Sequence, residues 1–331
     1  MTAARGAPRL ALSALVTLLL VDVALVAFAF KGVSGGQPRP GTASSASAAT
    51  TPDSTASSAP ARTETTTAAA PPPASSSPTS SSPSTEDARP LSRMVVAVNG
   101  NTAWRITVGT CAAGGSAIAT SGDGGKTWRS HSSPWPVLVR VQPTDGSKAF
   151  VVGATKDCEM GVQSTADVGV TWTPSTGVGD VWARDAADAT KIRAPGNRRV
   201  APCGDRAVLD LVRTSARAAQ ALCADGELTE SADEGATWTS VVRLQGVMAL
   251  DHRLENGAVT AYLVGRSAGC PGLTVSSARS GSPVTLGCVD LGGSPVAAGT
   301  VSISVVGNDG WLLVGDATWR SRDGLRTWSK A

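Results

Sequence analysis

An eight-residue pattern that ends in Thr-Trp recurs along the chain, and its spacing limits the possible folds more than any other feature. The four near-complete copies are Ser121–Trp128, Thr165–Trp172, Ser231–Trp238 and Ser321–Trp328, which start 44, 66 and 90 residues apart. A degenerate copy at Ser277–Val284 keeps Ser and Gly in register and divides the last interval into 46 and 44 residues. An interval near 44 residues indicates a repeated supersecondary unit.

Turn signals inside each interval identify the unit as a small antiparallel sheet. The dipeptides Asn99-Gly100, Asp145-Gly146 and Asn256-Gly257 are typical of tight hairpin turns, because both residue types tolerate positive φ. We expect strands A and B around these turns, strand C before each eight-residue copy and strand D from its Thr-Trp onwards. A period near 44 residues is typical of one four-stranded blade of a β-propeller.

The fold predicted is therefore all-β, a β-propeller of five four-stranded blades. A sixth blade is possible if the extra residues 178–204, inside the long interval, form a rudimentary sheet. Closure of the ring then requires either packing of the first blade against the last or a swapped strand. The sequence leaves both alternatives open.

The eight-residue pattern resembles the Asp box, S-x-D-x-G-x-T-W, of bacterial neuraminidase (BNR) repeats, sortilin-type propellers and the photosystem II assembly-factor family. The resemblance covers residues 91–331 and implies the fold, not a particular function. It also implies that the boxes lie on the rim, away from the ligand face. We expect each Asp to accept backbone N–H bonds and each Trp to fill the gap between neighbouring sheets. The Asp–Trp pairs of the four boxes are Asp123 and Trp128, Asp167 and Trp172, Asp233 and Trp238, and Asp323 and Trp328.

The amino-terminal residues predict a membrane anchor. Residues 10–30 form an apolar run long enough to cross a bilayer as one helix. Arg5 and Arg9 precede it, so the positive-inside rule places residues 1–9 in the cytoplasm and the rest of the chain outside. We expect a single-pass protein of the cell membrane. The alternative is a cleaved signal and a secreted protein, because Ala27-Phe28-Ala29 fits a small-residue cleavage site.

Residues 31–90 are predicted to be a disordered linker. From residue 34 to residue 90 the chain contains Ser, Thr, Ala, Pro and a few charges, but no aliphatic residue larger than Ala and no aromatic residue. Such a segment cannot bury enough apolar surface to fold. The propeller is expected to span 91–331. The net charge of +3 is too small to suggest nucleic acid as a partner.

The six cysteines predict three disulfide bonds, because an even count in an exported domain is typical of oxidised pairs. Three places in the predicted blades each bring two cysteines together. They are the B–C loops of two adjacent blades, the two ends of one A–B hairpin, and a B–C loop with the end of strand D in one blade. The predicted pairs are Cys111–Cys158, Cys203–Cys223 and Cys270–Cys288. The spacing does not suggest metal binding, and no cofactor is expected.

A catalytic site is not indicated by the sequence. Sialidase chemistry requires a Tyr–Glu pair, and Tyr262 lies in an alternating run typical of a strand-packing residue. His131 and His252 are expected at exposed loops or strand ends. A sialidase-like or other two-carboxylate glycosidase stays an alternative, although the acidic residues are scattered and no pair stands out.

Binding is the function that the sequence favours. The extra residues carry an arginine cluster, Arg193, Arg198 and Arg199, that could contact an anionic protein or cell-wall polymer. The alternative is a solvated loop balanced by Asp180, Asp185 and Asp188. The sequence thus predicts a membrane-tethered, extracytoplasmic, non-catalytic binding or scaffold module. A structural surface module without a specific ligand is the further alternative.

Overall fold

The computed structural model describes residues 88–175, 181–255, 257–279 and 282–331. Within these residues the strands form six antiparallel sheets, five with four strands and one with three. Strands within each sheet are neighbours in sequence, so each sheet is a meander and serves as one blade. The all-β propeller is confirmed, with six blades. The predicted membrane helix and linker lie outside the described residues, and no described helix is long and apolar enough to span a bilayer.

The blades follow one another along the chain. Blade 1 contains β1 (Arg93–Ala97), β2 (Ala103–Thr107), β3 (Ala117–Ser121) and β4 (Arg129–His131). Blade 2 contains β5 (Val137–Pro143), β6 (Ala149–Ala154), β7 (Met160–Thr165) and β8 (Thr173–Pro174). Blade 3 contains β9 (Ala183–Arg184), β10 (Ile192–Ala194) and β11 (Arg198–Val200), with a 3-10 turn at Pro195–Asn197.

The remaining three blades have four strands each. Blade 4 contains β12 (Val208–Arg213), β13 (Ala219–Cys223), β14 (Glu227–Ser231) and β15 (Thr239–Arg243). Blade 5 contains β16 (Val247–Glu255), β17 (Ala258–Gly265), β18 (Leu273–Ala278) and β19 (Val284–Val289). Blade 6 contains β20 (Val301–Val306), β21 (Asp309–Val314), β22 (Ala317–Ser321) and β23 (Ser329–Lys330).

The ring closes by packing of blade 1 against blade 6. The six innermost strands contact one another in chain order, and β20 of blade 6 contacts β1 of blade 1. The hydroxyls of Ser302 and Ser304 accept the backbone N–H groups of Val95 and Ala97 at 3.1 and 3.0 Å. These bonds satisfy donors on the free inner edge of β1, which otherwise face the channel unpaired. Of the two closures left open by the sequence, the described sheets use packing rather than a swapped strand.

The two faces of the ring differ in what connects the strands. One face carries the B–C loops and the connections between blades, and all three disulfide bonds lie there; we call it the disulfide face. The opposite face carries the A–B hairpins and the eight-residue boxes, and we call it the box face. The bonds are the three predicted from sequence: Cys111–Cys158, Cys203–Cys223 and Cys270–Cys288.

Each box is a hairpin closed around its Asp. In the first, Asp123 accepts the backbone N–H of Thr127 at 3.0 Å, and the Thr127 hydroxyl donates to it at 2.6 Å. The Ser121 hydroxyl also donates to Asp123, at 2.9 Å. The same contacts recur around the other three box aspartates. These hydrogen bonds lower the pKa of Asp123 and Asp167 to about 2, the Thr hydroxyl making the largest contribution.

The box tryptophans pack each blade against the one before it. Trp128 of blade 1 donates to Thr318 of blade 6 at 3.2 Å, and Trp172 of blade 2 donates to the carbonyl of Ser132 at 3.2 Å. Trp238 of blade 4 meets Trp182 of blade 3 edge-on, with ring centroids 6.0 Å apart. Trp328 packs against the core shared with blade 5. The tryptophans therefore hold neighbouring sheets together.

Blade 3 differs from the others in the direction of its inner strand. Trp182, just before β9, donates to the carbonyl of Ala216 in the A–B hairpin of blade 4, on the box face. The carbonyl oxygen of Ala186, just after β9, lies 3.8 Å from the sulfur of Cys111 on the disulfide face. The strand β9 thus runs from the box face to the disulfide face, opposite to the other inner strands. Blade 3 corresponds in direction to strands B, C and D, with strand A missing.

Candidate functional site: the central cup

The residues that precede blade 1 close the channel on the disulfide face. We call residues 88–92 the strap. Leu91, 2 % exposed, donates its N–H to the carbonyl of Leu209 in blade 4 at 2.9 Å. Ser92 donates its N–H to the carbonyl of Gly299, next to blade 6, at 2.7 Å. Blade 4 stands opposite blade 1 in a six-membered ring, so the strap crosses the axis.

Gly299 is needed where it lies beside the strap. Its φ is 74°, and a Cβ there would meet the carbonyl oxygen of Pro90 at 2.4 Å. An L-residue therefore meets both an unfavourable backbone angle and a clash with the strap. In the part of the chain that the structure describes, the strap closes the channel on the disulfide face and leaves the cavity open toward the box face.

The result is a cup of about 620 Å³ lined by the inner strands of all six blades. The charged and imidazole side chains in its lining come from blades 2 to 5. They are Arg140, Arg184, Asp210, Arg213, Asp251 and His252. Blades 1 and 6 contribute mainly apolar residues and serines. The charged side chains of the cup thus lie on one side of the ring.

Two arginines bind protein carbonyls in the lower cup. Arg140 donates to the carbonyl of Trp182 at 2.6 Å and to the Gln142 side chain at 2.8 Å. Arg184, 8 % exposed, donates to the carbonyl of Leu91 in the strap at 2.6 Å. Burial lowers the pKa of Arg140 to about 10, so Arg140 remains cationic at neutral pH. Burial also lowers the pKa of Arg184. Arg184 therefore fastens the strap to blade 3.

Two buried carboxylates join neighbouring inner strands. Asp210 of blade 4 accepts the N–H of Leu250 in blade 5 at 2.8 Å. Asp251 of blade 5 accepts the N–H of Val305 in blade 6 at 2.6 Å. Burial raises the pKa of Asp210 to about 6 and that of Asp251 to about 7. Each carboxylate satisfies a donor on the free edge of the next blade, as the serines do between blades 6 and 1.

His252 stands beside Asp251 inside β16. Its Nδ1 is buried without a hydrogen-bond partner among the described residues, and it lies 3.8 Å from the nearest Asp251 oxygen. Burial lowers the pKa of His252 to about 4, so the imidazole is neutral at physiological pH. The sequence placed His252 at an exposed loop or strand end, which is wrong: it lies within a nine-residue strand and lines the cup.

The arginine cluster predicted from sequence lies in blade 3, outside the cup. Arg193 and Arg199 contact the buried carboxylate of Asp185 at 3.1 and 3.0 Å. Arg198 donates to the backbone carbonyls of Pro195 and Glu234. These contacts use the charges to hold blade 3 together. Binding of an anionic partner by this cluster stays a prediction.

Tyr262 and His131, which the sequence analysis also considered, make structural contacts. Tyr262 lies in β17, 7 % exposed, within the apolar core shared by blades 5 and 6. His131 is the last residue of β4, and its Nε2 lies 2.8 Å from the hydroxyl of Thr120. Neither residue lines the cup.

The comparisons with known proteins bear on the fold alone. No protein-family model and no curated protein match the chain. YCF48 bound to a D1 peptide is 16 % identical, with a TM-score of 0.38 over 73 % of this chain and 83 % of that one. The Aleuria aurantia lectin, a six-bladed propeller with fucose recognition, is 13 % identical, with a TM-score of 0.46 over 72 % and 93 %. A GH74 xyloglucanase from Xanthomonas campestris is 17 % identical, with a TM-score of 0.28 over 72 % and 38 %.

The fold and the cup together define the class of protein. It is a six-bladed β-propeller whose amino-terminal strap closes one end of the channel.

Proposed function

We propose that the protein is a membrane-tethered, extracytoplasmic binding module that holds its partner in the central cup without chemical conversion. The observation that carries the proposal is the strap. It closes the channel on the face where the chain arrives from the linker and leaves the charged cup open on the opposite face. A partner therefore reaches the cup from the box face, which differs from the expectation that the boxes lie away from the ligand face.

The charged lining supports binding through the cup rather than through the outer surface. A purely structural ring can be closed with serines, as it is between blades 6 and 1. Blades 2 to 5 instead place arginines and carboxylates in a cavity, where polar groups give a ligand orientation and specificity. The half-exposed Arg213, which donates to the carbonyl of Ser215 at 2.9 Å, extends this charge to the mouth.

A hydrolase is the second candidate, and one observation favours it. Asp210 and Asp251 are electrostatically coupled carboxylates with raised pKa in a cavity, an arrangement that acid–base catalysis uses. Their hydrogen bonds to Leu250 and Val305 argue for a structural role instead. Turnover of fluorogenic glycosides that is abolished by Asp251→Asn would establish the hydrolase and overturn the binding proposal.

Site-specific photo-crosslinking in cells tests partner binding. A photoreactive residue replaces the exposed Ser215 at the mouth of the cup, and the matched control replaces the exposed Asp290 on the disulfide face. We expect one dominant crosslinked species from position 215 and none from position 290. Equal labelling at both positions, or none at either, contradicts a partner in the cup.

The tether has a separate test. Membrane fractionation and mass spectrometry of the mature amino terminus should give a membrane-bound protein that retains residues 10–30. A chain that starts at Phe30 would show that the segment is a removed signal and that the protein is secreted.

A further inference from the structure

We propose that the cup recognises a carboxylate group, with Arg140 as its principal ligand. This inference rests on the proposed function and specifies its chemistry. The carboxylate has two possible sources, a small free acid and the carboxy terminus of a chain that reaches down from the box face. The experiment below separates them.

The first argument is the unmatched charge of the two lower arginines. Among the described residues, no carboxylate oxygen lies within ion-pair distance of Arg140 or Arg184, and their hydrogen bonds go to neutral carbonyl and amide oxygens. Arg184, 8 % exposed, is withdrawn from water, where a guanidinium normally requires a counter-charge. By contrast, Arg193 and Arg199 outside the cup each contact Asp185 directly.

The second argument is that the carboxylates of the cup are already used. Both oxygens of Asp210 accept backbone N–H groups, from Leu211 and Leu250, each at 2.8 Å. Asp251 is bound to Val305 of the next blade. Their raised pKa values show that burial outweighs the attraction of the arginines. These carboxylates act on Arg140 and Arg184 only at longer range than an ion pair. Three arginines face two carboxylates in the lining, so a net positive charge remains for a ligand.

The third argument is access. Arg140 lies partway along β5, it is only partly buried, and it lines the cavity that opens on the box face. Two of its five N–H donors are used in the hydrogen bonds to Trp182 and Gln142. The remaining donors can approach a carboxylate with charge-assisted hydrogen bonds. Arg184, deeper and already bound to the strap, acts on the ligand through its charge.

The proposal predicts that the affinity for a carboxylate depends on pH. The titratable and charged groups that face the ligand are Arg140, Arg184, Arg213, Asp210, Asp251 and His252. Between pH 5 and 8 Arg140 stays cationic and His252 stays neutral, whereas Asp210 and Asp251 ionise. Because their ionisation places negative charge beside the bound anion, affinity for a carboxylate falls as pH rises through about 6 to 7.

Calorimetric titration of the full chain in detergent micelles tests the inference. The probes are propionate and succinate, their amides, and trialanine with a free or an amidated carboxy terminus. We expect the acids to bind at least about tenfold more tightly than their matched amides, since charge-assisted hydrogen bonds are lost in the amides. Stronger binding of trialanine than of propionate identifies a chain terminus as the source, and equal binding identifies a small acid.

Three variants test whether binding of the acids depends on Arg140. Arg140→Gln should weaken binding of the acids about tenfold and leave binding of the amides unchanged. Arg140→Lys should restore part of the affinity for the acids. The matched control is Arg217→Gln, because Arg217 is 71 % exposed on the same face and pairs with Glu234 outside the cup. It should bind like the wild type.

The titrations of the wild-type protein test the inference even if an Arg140 variant fails to fold. Equal affinity for acids and amides, no binding of any acid, or affinity that rises between pH 5.5 and 8 would each overturn the inference. If crosslinking from position 215 still captures one partner in that case, the cup binds by other chemistry and the proposed function stands. If crosslinking fails as well, both fall.

Discussion

The two faces of the propeller are held together in different ways. On the disulfide face several connections are long, such as residues 108–116 and 290–300, and three covalent bonds and the strap fix this face. On the box face the connections are tight hairpins, and each box Asp closes its hairpin with hydrogen bonds. Long loops leave more conformational freedom to be removed, which is where cross-links contribute most, whereas a short turn needs only its backbone donors satisfied.

This difference has a functional consequence. The face that receives the chain is cross-linked by disulfides and closed by the strap. The face that carries the cup is held by non-covalent contacts, namely the box hydrogen bonds and the packing of the tryptophans between blades. The four predictions below test the contrast, beginning with the disulfide face.

Removal of the buried Cys203–Cys223 disulfide should lower the free energy of unfolding the most. We expect the double variant Cys203→Ser, Cys223→Ser to lose about 3–5 kcal/mol of unfolding free energy, because both cysteines are fully buried and the bond ties blade 4 to the segment before it. Urea unfolding measures the loss. The control is Cys270→Ser, Cys288→Ser, whose second cysteine is exposed. A larger loss in the control would mean that burial does not determine the contribution.

Truncation of the strap anchor comes next. Leu91→Ala should cost about 2–4 kcal/mol, the usual cost of removing a buried Leu side chain. Arg89→Ala, an exposed strap position, is the control and should stay near the wild type. If the two variants have the same midpoint in urea unfolding, the strap does not clasp the ring.

Substitution of a box Asp should have a smaller effect on thermal stability. Asp233→Ala leaves the N–H and hydroxyl of Thr237 without their acceptor, but both groups lie near solvent and can bond to water. Differential scanning calorimetry should show a fall in Tm smaller than that of Leu91→Ala. Asp205→Ala, an exposed position outside the boxes, should show none. A fall larger than that of Leu91→Ala would reverse the proposed contrast between the faces.

The fourth prediction is a pH dependence of opposite sign in the two kinds of carboxylate. The box aspartates have pKa values below the unfolded value of about 4, so their stabilisation is present above that pH and is lost as pH falls toward about 2. Asp251 has a folded pKa of about 7, so it binds its proton more tightly in the folded state. Stability from Asp251 therefore falls as pH rises from about 4 to 7.

Asp251→Asn isolates this second effect. The variant should flatten the decline in Tm between pH 4 and 7 and leave the loss below pH 4 unchanged. Melting curves across that range measure both parts. An unchanged decline above pH 4 in the variant would show that Asp251 is not the group responsible.

The sequence predicts the parts of the fold that repeat. The Asp and Thr-Trp of every box, and the Gly that Leu325 replaces in the last one, must occupy fixed positions in a hairpin, so their spacing reports the blades directly. The disulfides follow from the same geometry. Blade 3 has no box and only short strands, so its residues predicted at most a rudimentary blade, and the reversed direction of β9 leaves no mark in the pattern.

The cup could not be predicted in the same way. Asp210 and Asp251 each interrupt an apolar strand, but they come together with Arg140 only after three separate blades close into a ring. Leu91 looks like a single apolar residue at the end of a polar linker, although it is the anchor of the strap. The arginines that do cluster in sequence, Arg193 and Arg199, have their partner, Asp185, only a few residues away.

Hydrogen–deuterium exchange of the strap tests the central claim most directly, because the N–H groups of Leu91 and Ser92 are bonded across the ring to Leu209 and Gly299. We predict that peptides covering 91–92 exchange as slowly as peptides from β20, the inner strand of blade 6, in the full chain at neutral pH. Exchange of these two amides within seconds, with β20 still protected, would show that the strap does not cross the channel and that the cup has no floor.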